Sequence, residues 1–185
     1  AIRADGMYPE GVTYYSYLLR NQTLFFSALG RRKGVDYFGR TNLPASLRWV
    51  VWSSLPWGRE FDNFNDARYA LRANDYIAVL QGQFPGIGDY LAQRVNGDHL
   101  RYQSNPFALL HGRRPDLSSF DPERELGGSQ LFPEAGMVAC RTGWDAEAMA
   151  VMAYATKYEY ASHSQADRGQ FNVYAYGRKW VIDSG

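Results

Sequence analysis

The strongest constraint on this chain is a change in its hydrophobic period past the midpoint. Up to about residue 112 the apolar positions recur at three- and four-residue steps; from Ala135 they fall in short runs rich in Val, Ala and aromatic residues. Steps of three and four line up on one stripe of a helix, whereas short apolar runs bounded by turn residues suit strands. Helices followed by strands predict two separate layers or domains rather than an alternating βαβ unit. The expected fold class is α+β and multidomain, with a helical segment at 1–112, a linker at 113–134 and the start of a β domain at 135–185.

The helical part divides at its turn residues. Gly11 to Gly30 carries Tyr14, Tyr17, Leu18, Phe25 and Leu29, and the basic trio Arg31, Arg32 and Lys33 follows. Cations at a helix C-terminus suit its dipole. Further helices are expected from Pro44 to Leu55, closed by Pro56, from Asn74-Asp75 onward, and from Ile87 to Val95. The linker is punctuated by Arg113-Arg114-Pro115, Asp121-Pro122, Gly127-Gly128 and Pro133. Strands are expected at Met137–Arg141, within Ala148–Tyr160, at Gln170–Tyr176 and at Lys179–Asp183, the last two joined by a tight turn at Gly177-Arg178. Cys140, the single cysteine, is expected to be a buried strand residue and cannot form an internal disulfide.

Charge narrows the function classes. Twenty basic residues face nineteen acidic ones, so no global field favours nucleic acid or an anionic membrane surface. No run approaches the ~18–20 apolar residues that span a bilayer, and the opening AIRADGMYPEG is not a signal peptide. Only three of the basic residues are Lys (Lys33, Lys157, Lys179); the rest are Arg, whose planar fork suits carboxylate, sulfate or phosphate. Aromatic residues make up 16% of the chain, enough to build a core and still leave rings for stacking on sugars. The chain starts without Met and stops inside a strand-and-turn pattern, which reads as part of a longer protein.

Two segments carry the chemistry. One is Tyr8-Pro9-Glu10-Gly11-Val12-Thr13-Tyr14-Tyr15-Ser16-Tyr17. The other is His163-Ser164-Gln165-Ala166-Asp167-Arg168-Gly169-Gln170-Phe171, followed by Val173-Tyr174-Ala175-Tyr176-Gly177 and Ile182-Asp183-Ser184-Gly185. Together they resemble the heparinase II/III-like polysaccharide lyases and related exolytic alginate lyases. In that class an (α/α) toroid with a Glu-Gly-x-x-Tyr segment precedes an antiparallel β-sandwich with a His-x-His-x-Asp segment and an Asp-x-Gly. The resemblance implies that residues 1–112 are the C-terminal part of such a toroid, and that the strands open the sandwich. It also implies β-elimination on uronic-acid-containing glycans, an acidic polysaccharide or oligosaccharide as partner, a periplasmic or secreted location and room for a homo-oligomer.

Within the resemblance Tyr14 and His163 are the catalytic pair. A phenol with a reference pKa of ~10 acts as acid or base when neighbouring cations favour its phenolate. Arg141, in Cys140-Arg141-Thr142-Gly143-Trp144, matches an Arg-x-Gly-Trp stretch of these proteins; it either binds a sugar carboxylate or holds Asp145 or Glu147. Glu10 and Trp144 are further substrate-side candidates, although Glu10 equally suits the positive end of the helix dipole and Trp144 equally suits packing. Asn65, with Asn63 and Asp66, either lines a cleft or caps a turn. No cofactor is required by the reaction. Many relatives bind a structural zinc through a histidine where this chain has Gln165, together with the Asp that matches Asp183; glutamine is a poor zinc ligand beside imidazole. Two other classes stay open: a glycoside hydrolase using paired carboxylates such as Glu10 and Asp66, and a non-catalytic glycan-binding protein of the same fold.

Overall fold

The protein is described by a computed structural model that covers residues 2–71, 76–96, 110–111, 114–155, 157 and 169–183. Helices come first, among the described residues α1 (Gly11–Lys33), α2 (Leu43–Trp52), α3 (Ile77–Gln83) and α4 (Ile87–Asn96). A short 3-10 turn, Leu117–Ser119, and a one-turn helix α5 (Pro122–Leu126) lead into the sheet. The sheet has five antiparallel strands in sequence order: β1 (Ser129–Phe132), β2 (Met137–Arg141), β3 (Ala150–Tyr154), β4 (Gln170–Ala175) and β5 (Arg178–Val181).

Local chemistry explains the boundaries. α1 buries Val12, Tyr15, Ser16, Leu19 and Thr23, one stripe at three- and four-residue steps. It continues past Gly30 because glycine is tolerated in a helix, and it stops at Gly34, which takes the left-handed conformation (φ 66°) and donates its N–H to the Gly30 carbonyl. α2 is buried almost all round, from Leu43 through Trp52, and forms the centre of the helical half. It ends before the expected Leu55 because the Ser53 and Ser54 hydroxyls donate back to the carbonyls of Trp49 (3.0 Å) and Val51 (2.7 Å). Ser54 then bridges to Phe61 in extended conformation.

Three expectations need correction. Part of the stretch read as linker is ordered structure: α5 is capped by Asp121, and β1 pairs with β2 from Ser129↔Cys140 to Phe132↔Met137. A four-residue edge strand is too short to leave a periodic signal. Cys140 is exposed rather than buried, because β2 alternates and its inward positions are Met137, Ala139 and Arg141. The β4–β5 turn falls one residue earlier than expected, at Tyr176-Gly177, both with positive φ (53° and 67°).

The inner face of the sheet packs on the helical half, and the two share one core that includes Trp49, Trp52, Phe61, Met137, Met152 and Tyr174. Register places the inner residues in rows: Met137–Tyr154–Gln170, Ala139–Met152–Asn172 and Arg141–Ala150–Tyr174. The outer face is also apolar. Leu131, Val138, Ala153 and Phe171 form one row, and Cys140, Val151, Val173 and Val181 another. Leu131, Phe171 and Trp180 are more than half exposed there. No described helix is long and apolar enough to cross a membrane.

Candidate active site at the helix–sheet seam

The seam is polar where a simple core would be apolar. From the helical half the loop Phe61–Ala67 brings Asp62, Asn63 and Asn65, all buried. From the sheet come Tyr154, Asn172, Tyr174 and Asp183. Asp62 is the hub: Tyr154 donates its hydroxyl to one carboxylate oxygen, while Asn172 Nδ2 (2.6 Å) and the Tyr174 hydroxyl (2.5 Å) donate to the other. Burial pushes the Asp62 carboxyl above its ordinary range; the three donors oppose that shift, and the nearby Asp183 adds to it. Burial and the Asp62 charge likewise raise both phenols, so Tyr154 and Tyr174 stay neutral donors at neutral pH. Desolvation, then Asp62 and Glu60, pushes Tyr69 up to about 12, with the Lys179 ammonium 3.4 Å from its ring centre.

Asp183 closes the network. Its backbone N–H donates to Asn172 Oδ1 (2.8 Å), its carbonyl accepts from Asn63 Nδ2 (2.8 Å), and its carboxylate accepts from the Asn65 N–H (3.1 Å). This carboxylate is the only one of the implied zinc ligands that the described residues supply. Among those residues no group of three or more His, Cys, Asp or Glu gathers. Gln165 lies outside the described residues.

Tyr14 stands half-buried on the first turn of α1, a helix that starts close against the Phe61–Ala67 loop. Gly11 makes the approach feasible: it has φ 80°, and a Cβ there would fall 2.5 Å from the Phe64 carbonyl oxygen. Gly11→Ala is therefore expected to cost about 2 kcal/mol or more in unfolding free energy, read by denaturant melts. Glu10 precedes the helix without a side-chain cap and accepts from the Tyr8 hydroxyl at 3.2 Å. His163, the other member of the expected pair, lies outside the described residues.

Three substrate-side candidates make hydrogen bonds to protein. Asn65 is 1% exposed, and its Nδ2 donates to the Pro9 carbonyl at 2.5 Å, so it faces protein rather than solvent. Arg141 is buried with its guanidinium 3.9 Å from the Trp144 ring centre, and it donates to the carbonyls of Ser54 (2.6 Å) and Trp52 (3.4 Å). It supplies the cation that the last turn of α2 lacks, and desolvation lowers its pKa to about 10 without discharging it near neutrality. Trp144 leans on Trp52 at 5.0 Å between centroids and donates its indole N–H to Gly127 (2.9 Å). Arg141→Met is expected to lower stability by about 2 to 3 kcal/mol, since two buried carbonyls lose a charged donor. A melt of the folded variant checks it.

The whole chain superposes on a heparan sulfate lyase HepC mutant from Pedobacter heparinus with TM-score 0.69 at 19% identity. It superposes on Heparinase III with TM-score 0.69 at 21% identity, and on heparan sulfate lyase HepC from Pedobacter heparinus with TM-score 0.61 at 20% identity. The fold is heparinase-like. The chain spans 26% to 28% of the length of those proteins. No protein-family model and no curated protein matches it.

The Asp62 hub is the feature that sequence reading missed. Its only signal was polar side chains at alternate strand positions, Asn172 and Tyr174, which share the inward face of β4.

Proposed function

We propose that this chain is part of a polysaccharide lyase that cleaves uronic-acid-containing glycans by β-elimination. Its helices would belong to the C-terminal part of an (α/α) toroid and its sheet to one layer of an antiparallel β-sandwich. The apolar outer rows support the second assignment, because a sheet apolar on both faces needs a second layer. The observation that carries the functional reading is the position of the Glu10-Gly11-Val12-Thr13-Tyr14 turn. It is locked against the loop that binds the sheet, in a fold shared along the whole chain with heparan sulfate lyases.

In the reaction a base takes the C5 proton of the uronate, the C–H electrons form the C4=C5 double bond, and the C4–O bond breaks. The departing oxygen takes a proton from an acid. Tyr14 and His163 are assigned these two roles, with His163 also available to stabilise the developing charge at the carboxylate. The substrate is an acidic polysaccharide or oligosaccharide, and a periplasmic or secreted location goes with that substrate class.

Product analysis tests the assignment. The full-length protein, incubated with uronate polymers, is expected to give oligosaccharides with the ultraviolet absorbance of a conjugated C4=C5 bond. Saturated products alone, each heavier by one water, would mean hydrolysis and would rule out the lyase reading.

A further inference from the structure

We infer that Asn65 is a positioning residue for Tyr14, tying the entry to α1 to the sheet half so that the phenol keeps a fixed place. The inference rests on the lyase role of Tyr14. Asn65 takes a left-handed backbone conformation (φ 58°), which asparagine tolerates better than most residues. That conformation sends its two donors to opposite sides of the seam. The backbone N–H reaches the Asp183 carboxylate on the sheet side (3.1 Å), and the side-chain amide reaches the Pro9 carbonyl on the helix side (2.5 Å).

Both ends of this link are held. Asp183 is anchored by Asn172 and Asn63 through its own backbone N–H and carbonyl, each at 2.8 Å. Pro9 lies two residues before α1 begins, and the first turn is gripped on either side of it. Gly11 packs against the Phe64 carbonyl, while the Thr13 hydroxyl accepts from the Arg68 N–H (2.7 Å) and donates to the Arg68 carbonyl (3.0 Å). Pro9 runs through Glu10 into α1, and a helix is stiff over one turn, so a shift at the helix entry passes to the Tyr14 hydroxyl. A misplacement of about 1 Å at a reacting group costs up to ~100-fold in rate.

Asn65→Gly tests the link, because glycine keeps the positive φ and the backbone N–H but removes the amide that holds Pro9. In the full-length protein this variant is expected to lose about 10- to 100-fold in kcat, with KM within about twofold. Combined with Tyr14→Phe it is expected to be no slower than Tyr14→Phe alone, since it acts through the same phenol. Amide hydrogen exchange across residues 10–14 is expected to speed up. If Tyr14→Phe is slow and Asn65→Gly keeps parental turnover, or if the two losses multiply, the positioning role is wrong while the lyase reading survives. If Tyr14→Phe itself keeps full turnover, the role given to Tyr14 fails. Unchanged exchange in residues 10–14 overturns the tether whatever the activity.

Discussion

Tyr14→Phe in the full-length protein is expected to lower turnover of a uronate polymer by about 10²- to 10⁴-fold, the range for loss of a positioned acid–base group. The change deletes one oxygen from a half-buried side chain, so the ring keeps its packing on α1. Stability should move by no more than about 0.5 kcal/mol, as for most substitutions away from the core. KM should change little, because the lost contact acts on the reacting atoms rather than on the rest of the sugar. Initial rates of unsaturated product, with a thermal melt of the same sample, separate the outcomes. Parental turnover in the variant would remove Tyr14 from the chemistry. A collapsed melt would assign the loss to folding.

Asp62→Ala is expected to destabilise the protein by about 4 kcal/mol. The Tyr154 and Tyr174 hydroxyls and the Asn172 amide all donate to that carboxylate from the sheet, and all three would be left without it in a buried seam. Each orphaned donor costs about 1 to 3 kcal/mol, reduced where neighbours relax or water enters. Asp62→Asn keeps one acceptor oxygen and should cost less. The carboxyl also sets a pH dependence. Its folded pKa lies above the ordinary 3.8, so the folded state holds the proton more tightly than the unfolded state. Its contribution to stability is then greatest below about pH 4 and declines as pH rises through the folded pKa. Tyr154 and Tyr174 follow the same sign from ordinary values of 10.0: full contribution below that pH, lost above it. Urea melts across pH should show the acid-side slope flatten in Asp62→Asn. An unchanged slope would contradict the raised carboxyl.

The division into helices and strands was legible because periodicity is a local signal, and the basic trio after Gly30 marked the end of α1 to within a few residues. The seam was not legible, because its partners lie far apart in sequence: Asp62 meets Tyr154 and Tyr174 across roughly a hundred residues. Arg141 illustrates the difficulty. Strand alternation from Met137 and Ala139 sends it inward, but Val138 on the opposite face is apolar too, so the alternation that would have revealed its burial was hidden. Cys140 was misread for the same reason. The direction of Asn65 depends on a positive φ that no local pattern announces.

β-Elimination by this pair requires Tyr14 and His163 to flank the same sugar. A crystal structure of the full-length protein holding an uncleaved uronate oligosaccharide measures it most directly. The expected result places the Tyr14 hydroxyl and the His163 ring about 3 to 3.5 Å from the C5 proton position or the bridging oxygen of a single residue. Side chains that point into separate cores, or an oligosaccharide bound away from both, would contradict it.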